Sequence, residues 1–253
     1  MACLMETRDY ANFDPYWYIE NHIGNDFIGM QQDLDSLHKI FAECKVSGKR
    51  RLLDVGTGPT VHSVITASNH VDEIFLSDYA PQNLQYLAKW RKGEIAHPKK
   101  LLDYVLSLED RLMTAEEREN EVRDKVKGIL PIDVTSEQPL GKDYDGGKFD
   151  VVISSHCIDA AVYEVDELAK CMKNVSSLLN EGGLFIIACD FGATFFQIGE
   201  YKYDGSSFTK EEVKTVMVEA GFEIKEYLEI SNYEHQYCDA KGYFFIAARK
   251  LFL

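Results

Sequence analysis

Leu52-Leu53-Asp54-Val55-Gly56-Thr57-Gly58-Pro59-Thr60 is the stretch on which the reading of the whole chain turns. A short apolar run ends in two glycines one residue apart, and an amphipathic segment follows. That order predicts a strand, a tight loop and a helix. Glycine turns the backbone sharply and leaves no side chain between the chain and a ligand. A glycine pair alone also occurs in plain strand-to-helix turns, so the surrounding pattern must decide.

Outward from this loop, strands and helices alternate. Leu52–Val55 reads as a strand and Pro59–Asn69 as a helix. Val71–Leu76 is a second strand ending at Ser77-Asp78-Tyr79, and Ala80-Pro81 opens a helix to about Lys92. In 99–127, Leu101, Leu102, Val105, Leu108 and Leu112 precede the charged run Glu116–Lys127, which predicts a helical insertion on the surface. Gly128–Ile132 is a weak strand before Asp133, and Phe149–Ser154 a strong one. Val165, Leu168, Ala169, Met172, Val175 and Leu179 recur every three or four residues and predict a helix. Asn180-Glu181-Gly182-Gly183 ends it, glycine being favoured just past a helix C-terminus. Leu184–Cys189, Phe222–Ile230 and Tyr243–Ala248 are further strands, with a helix over Lys210–Ala220. The last two strands have only a turn near Asp239-Ala240-Lys241-Gly242 between them, so they should pair antiparallel.

The expected fold class is therefore α/β, Rossmann-like, with a mostly parallel seven-stranded sheet, an antiparallel final strand and helices on both faces. Residues 1–48 are dense in aromatics at Phe13-Asp14-Pro15-Tyr16-Trp17-Tyr18 and are expected to form an N-terminal helical cap. Asp14 and Pro15 are placed there as N-cap and first helical residue. With no repeat or linker visible, one domain over residues 1–253 is expected.

Composition narrows the function. The chain has 253 residues, 45% of them hydrophobic, which suits one large globular domain. No apolar run approaches the roughly 20 residues that span a bilayer. Met1–Asp14 lacks the basic region and apolar stretch of a signal peptide, so a cytoplasmic location is expected. The six cysteines (Cys3, Cys44, Cys157, Cys171, Cys189 and Cys238) are scattered without a CxxC pair, which predicts reduced thiols and no disulfide frame. Tyr233, His235 and Cys238 have no ligand spacing either, and no metal is expected. A net charge of −15 repels nucleic-acid phosphates and anionic membranes and favours a small neutral or cationic substrate. A monomer is expected.

In an open α/β sheet, ligands sit beyond the carboxyl ends of the strands. Those ends carry Gly56–Thr60, Asp78, Asp133, Ser154–Asp159 and Asp190. Asp78 closes the second strand, where an acidic residue grips ribose hydroxyls, a feature that suits NAD as well. The loop discriminates. The dinucleotide fingerprint needs a third glycine where Val61 stands. A nucleoside cofactor without phosphates, such as S-adenosylmethionine, has no need of that pyrophosphate cradle.

Asp54–Thr60, Ser77–Leu84, Asp133-Val134-Thr135, Cys157-Ile158-Asp159-Ala160, Gln197-Ile198-Gly199-Glu200 and Ala247-Ala248-Arg249-Lys250 carry a resemblance. From about Tyr10 to Lys250 the chain resembles the nicotinamide / phenylethanolamine / indolethylamine N-methyltransferase family. The resemblance implies a class I methyltransferase fold and methyl transfer from S-adenosylmethionine to nitrogen on a small substrate. It implies that Tyr18, Gly56 and Thr57 hold the methionine portion, within a cofactor loop that includes Gly58 and Thr60. Asp78 takes the ribose hydroxyls with Tyr79 and Asn83 beside it, Asp133 and Val134 frame the adenine, and Ser155 lies nearest the sulfonium. His62 and Ile23 stand where the family has cofactor-side tyrosines.

On the acceptor side, the resemblance implies that Asp190 contacts the substrate and that Asp159 faces the same pocket. Asp239 matches an aspartate that meets the amine in the arylethanolamine branch, although turns favour Asp in any case. Departures cluster here. Phe196 keeps the ring of a substrate-stacking tyrosine without its hydroxyl, His156 replaces an apolar or aromatic residue, and Gly205 replaces a serine with Ser206 next to it. Because neighbours along a strand point to opposite faces, His156 is expected in the pocket and Cys157 in the core. The transfer is an in-line displacement that rests on alignment and exclusion of water. A pyridine nitrogen needs no base, whereas an amine must lose a proton. The expected reaction is N-methylation of nicotinamide to 1-methylnicotinamide with release of S-adenosylhomocysteine. An arylalkylamine acceptor and a donor-binding protein without catalysis are the alternatives.

Overall fold

Apolar runs become strands and amphipathic ones helices in the computed structural model, which describes residues 5–7, 9–25, 27–45, 48, 50–231 and 235–252. Cys3 and Tyr233 lie outside the described residues. The chain opens with β1 (Met5–Thr7), α1 (Pro15–Tyr18) and α2 (Ile28–Glu43). There follow β2 (Arg51–Val55), α3 (His62–Ala67), β3 (Glu73–Asp78), α4 (Pro81–Arg91), α5 (Lys99–Glu109), α6 (Ala115–Lys125) and β4 (Val126–Pro131). The second half runs through β5 (Phe149–Ser155), α7 (Ile158–Ala161), α8 (Val165–Leu178) and β6 (Leu179–Phe191). It closes with β7 (Phe195–Ile198), β8 (Tyr201–Asp204), α9 (Lys210–Glu219), β9 (Phe222–Ser231) and β10 (Gly242–Lys250).

Seven strands form the main sheet in the order β4-β3-β2-β5-β6-β10-β9. β10 alone runs against its neighbours, pairing antiparallel with both β6 and β9, as the missing helix between the last strands predicts. The period of two along each strand divides the core. Leu52, Ile74, Ile153, Ile186 and Phe245 face one layer with Leu37, Phe41, Val64 and Trp90. Leu53, Val152, Ile187 and Phe244 face the other with Leu168, Met172, Val175 and Val213. At the N-terminus the Asp14 carboxylate accepts from Tyr16 N–H at 3.0 Å and Trp17 N–H at 3.1 Å, with Pro15 opening α1. Among the described residues no helix is long and apolar enough to cross a membrane.

Three features depart from the sequence expectations. The 99–127 stretch is not confined to the surface: α5 and α6 contribute to one core layer, with Leu101, Leu102, Val105 and Val122 buried. Its charges misled because several turn inward as pairs. Arg118 is 1% exposed, held by Glu109 at 2.8 and 2.9 Å and donating to the Ile65 carbonyl at 2.7 Å. Buried charge is tolerated only when paired in this way. Leu112, expected on the apolar face, is exposed. Secondly, α8 ends at Leu178 and β6 begins at once, ahead of the glycines. Thirdly, β1, β8 and β7 form a separate three-stranded sheet whose strands are too short to announce themselves by alternation.

Candidate functional site

The loop after β2 is built by its two glycines for different reasons. Gly56 has φ +71°, and a Cβ there would run into the Cys157 side chain beyond β5. Gly58 has φ +62°, and a Cβ there would meet nothing. The first permits close packing; the second leaves bare backbone facing a cavity. Hydrogen bonds staple the loop to β3. Thr57 N–H donates to the Ser77 carbonyl at 2.8 Å, Ser77 N–H to Thr57 Oγ1 at 3.2 Å, and Ser77 Oγ–H to the Asp54 carbonyl at 2.7 Å. Beneath them the Asp54 carboxylate accepts from Ser63 Oγ–H at 2.7 Å, and burial pushes its pKa up to about 7.

Asp78 lies across from that bare backbone. Its Oδ2 accepts from Gly58 N–H at 2.7 Å, and its Oδ1 from Ala80 N–H at 2.8 Å and Asn83 Nδ2–H at 3.2 Å. Burial raises its pKa, with these donors working the other way. Each carboxylate oxygen has two lone pairs, so Oδ1 is filled by its two donors and Oδ2 keeps one acceptor position for a hydroxyl. Gly56, Thr57, Gly58, Thr60, His62, Asp78, Tyr79 and Asn83 all line one cavity of about 470 Å³ at the carboxyl ends of the strands. Tyr18, Asp133, Val134 and Ser155 line it too. Ile23 does not. It is fully buried in the core, and the wide π-type turn over Ile19–Asn25 presents His22 to the cavity instead.

The far wall of the same cavity is acidic. Asp159, Asp190, His156, Phe196 and Ser206 line it. His156 Nδ1 lies 3.2 Å from Asp190 Oδ1, and its Nε2 lies 3.5 Å from Asp33 Oδ2. Burial works against a charged imidazole, but Asp190 and Asp33 outweigh it and hold the pKa well above the usual range. Asp159 Oδ2 accepts the Asp190 N–H at 2.8 Å, and the Asp159 carbonyl accepts from Ser206 Oγ–H. Burial, with the Asp190 charge adding to it, pushes the Asp159 pKa up to about 7. Donor atoms of His156, Asp159 and Asp190 lie within 4.8 Å of one another, the spacing of a possible metal site. Both nitrogens of the His156 ring are already taken by ion pairs with Asp33 and Asp190.

Asp239 lies outside the cavity lining, a correction to the acceptor role expected for it. It accepts from Thr194 N–H at 2.7 Å, Thr194 Oγ1–H at 2.6 Å and Phe195 N–H at 3.1 Å, tying the loop before β7. Cys157 lines the cavity instead of sitting wholly in the core. The alternation argument failed because His156 takes φ +51° and the strand direction is lost before Cys157. The sequence reading also missed Tyr10, His22, Asp33 and His235. Tyr10 O–H donates to the Ala160 carbonyl at 3.0 Å, and its ring lies 5.1 Å from that of Tyr203. Tyr203 in turn stacks on Phe196 at 5.2 Å. His22 stacks between Tyr18 at 4.1 Å and His235 at 4.9 Å. Asp33 did leave a signal: it stands beside Met30, Leu34 and Leu37, an acid within the inward period of an amphipathic helix.

Buried polar atoms are almost always hydrogen-bonded in folded proteins. Ten buried side-chain polar atoms in the described residues lack a hydrogen-bond partner, and six of them belong to cavity-lining residues. They are on His22, Asp33, His62, Asn83, Ser155 and Asp159. The deficit is concentrated where a ligand carrying its own donors and acceptors would lie.

The chain matches the model of the NNMT/PNMT/TEMT family over residues 4–251. It is 33% identical over 250 residues to nicotinamide N-methyltransferase of Homo sapiens, covering 95% of this chain and 94% of that protein. It is 28% identical over 256 residues to phenylethanolamine N-methyltransferase of Macaca mulatta, covering 96% and 90%. Its fold is similar to that of magnesium protoporphyrin IX methyltransferase from Synechocystis PCC 6803, with a TM-score of 0.61, 16% identity, and coverage of 96% and 94%.

Proposed function

Because the chain belongs to the NNMT/PNMT/TEMT family, we propose that it is an S-adenosylmethionine-dependent N-methyltransferase whose acceptor is the ring nitrogen of nicotinamide. The products are 1-methylnicotinamide and S-adenosylhomocysteine. The observation that carries this reading is one cavity with a bare glycine loop and Asp78 on one side, and Asp159, His156 and Asp190 on the other. The greater identity to nicotinamide than to phenylethanolamine N-methyltransferases supports the choice of acceptor.

The residues present fit the donor. The Asp78 carboxylate, fixed by Gly58, Ala80 and Asn83, suits a ribose hydroxyl. The partnerless Asn83 Oδ1 and Ser155 Oγ supply further polar capacity nearby. In this reading Tyr18, Gly56, Thr57, Gly58 and Thr60 hold the methionine end, and Asp133 and Val134 the base. Bound there, S-adenosylmethionine supplies an electrophilic methyl group on positive sulfur. The chain's own contribution is alignment and dryness. Phe196, backed by Tyr203, offers a ring face to the acceptor, and Tyr10 ties the N-terminal segment over α7 through Ala160. The nicotinamide nitrogen has no proton to lose, so no base is required. An arylalkylamine is the second reading, favoured by Asp159, whose pKa near 7 suits it to receive an amine proton. A cytoplasmic monomer acting on small molecules, with no nucleic-acid partner, belongs to the same proposal; the net charge of −15 supports the last of these, since it repels phosphates.

The test is incubation of the purified protein with S-adenosylmethionine and a panel of pyridines and arylalkylamines, read by mass spectrometry. The expected product is 1-methylnicotinamide. Absence of methyl transfer to every nitrogen in the panel would sink the proposal.

A further inference from the structure

The acceptor wall has a component that neither the fold nor the reaction requires. His156 is one of two described non-glycine residues with a left-handed backbone, the other being Asp110. That conformation is uncommon for any side chain but more tolerable for His, Asn and Asp. It turns the ring off the line of β5, edge-on to Tyr243 at 5.2 Å, with one carboxylate at each nitrogen. A neutral imidazole has one N–H donor, whereas an imidazolium has two. Asp33 from α2 and Asp190 from β6 thus clamp the ring in its charged form. The clamp is not shared with His62, which also faces Asp33 but at 3.8 Å and whose Nδ1 is engaged by Thr60 Oγ1 at 2.7 Å.

We propose that His156 is a specificity-determining residue: its imidazolium occupies the Asp190 carboxylate and so biases the acceptor pocket toward a neutral ring nitrogen and against a protonated arylalkylamine. This deepens the reading of the same site and rests on it. An arylalkylamine reaches the pocket as an ammonium at neutral pH, since unperturbed alkylamines titrate near 10. It meets an Asp190 already paired and a fixed positive charge beside it. Nicotinamide brings no charge, and its carboxamide N–H can donate to Asp159 Oδ1, a buried atom without a partner.

The test compares wild type with His156→Asn, which tolerates the left-handed backbone but carries no charge. With S-adenosylhomocysteine bound, calorimetry gives Kd for nicotinamide and for 2-phenylethylamine, and kcat/KM is measured for both acceptors. The preference for the amine over nicotinamide should rise about tenfold, the scale of one charged hydrogen bond, and chiefly through Kd and KM. In a His156→Asn/Asp190→Asn double variant that gain should vanish, because the Asp190 carboxylate that the imidazolium covers no longer carries a charge. Equal weakening of both acceptors would mean that the residue is merely structural and would overturn the inference. A gain that survives in the double variant would overturn it too. Failure of the wild type to methylate either compound would instead count against the proposed reaction, while the two dissociation constants still decide the bias.

Discussion

Gly56→Ala is the sharpest test of how the donor loop is built, because two separable costs meet at one atom. At φ +71° an alanine lies in left-handed backbone, a cost of about 1–2 kcal/mol. Its Cβ also falls on the Sγ and Cβ of Cys157, and forcing atoms into a packed position costs a further ~1–3 kcal/mol. The sum, about 2–5 kcal/mol, should lower Tm by roughly 4–20 °C in a chain of this size, at about 2–4 °C per kcal/mol. Scanning calorimetry measures it, together with donor affinity by titration. The overlap can be removed from the other side. Cys157→Gly deletes both clashing atoms at a residue whose own φ of −120° glycine adopts freely, so the double variant should recover the overlap part and retain the backbone part. A coupling of ~1–3 kcal/mol is expected in that cycle. Gly58→Ala is the internal control. It meets no atom, so its loss of stability should be the smaller, and its effect should appear mainly in donor affinity. A Gly56→Ala protein with unchanged Tm, or a cycle without coupling, would refute the account of the loop as packed against Cys157.

Four further outcomes are expected. Asp78→Ala should weaken donor binding by about tenfold to a hundredfold, one or two charge-assisted hydrogen bonds, while Asp190→Ala lowers turnover with donor affinity nearly unchanged; titration calorimetry and steady-state kinetics separate the two, and equal effects on donor binding would mean that the halves of the cavity are misassigned. Asp239→Ala should cost ~1–2 kcal/mol by freeing Thr194 and Phe195, with activity largely retained in the folded fraction; loss of all turnover at unchanged Tm would restore a direct role. Arg118→Ala should destabilise by about 3–5 kcal/mol, because it strands the buried Glu109 carboxylate, and a Tm within 1–2 °C of wild type, roughly the effect of a surface change, would return α5 and α6 to the surface. Asp54 titrates near 7 in the folded state against an ordinary 3.8, so the folded form binds the proton more tightly and stability falls as pH rises from about 4 to 7, by at most about 4 kcal/mol. Asp54→Asn should remove that slope, and an unchanged pH dependence of Tm would refute it.

What the sequence could reveal follows from the range of each signal. The sheet was legible because its cues are local. A period of two over Leu52–Val55 or Phe149–Ser154 needs no partner to be seen, and a missing helix before β10 settles its direction. The glycine-loop side of the cavity was legible for a related reason: Gly58 and Thr57 are hydrogen-bonded to Asp78 and Ser77 across two neighbouring strands, so their order along the chain mirrors their order in space. The far wall of the cavity obeys no such rule. His156 is paired to a residue more than a hundred positions earlier in α2 and to another at the end of β6, and only the folded chain brings them together. The period-two argument placed His156 in the pocket and Cys157 in the core, and it was half right. A single left-handed residue ends the strand, after which alternation no longer applies and both side chains reach the cavity. The charged run over Glu116–Lys127 misled by the opposite route. Its composition belongs to a surface, yet Arg118 and Glu119 are spent on buried pairs with Glu109, Trp90 and Arg123. In both places charge is held inside by a partner distant in sequence or in the next turn of structure. Pattern reading therefore fails at ion pairs first, and the far wall of the cavity, with Asp33, His156 and Asp190, is made of them.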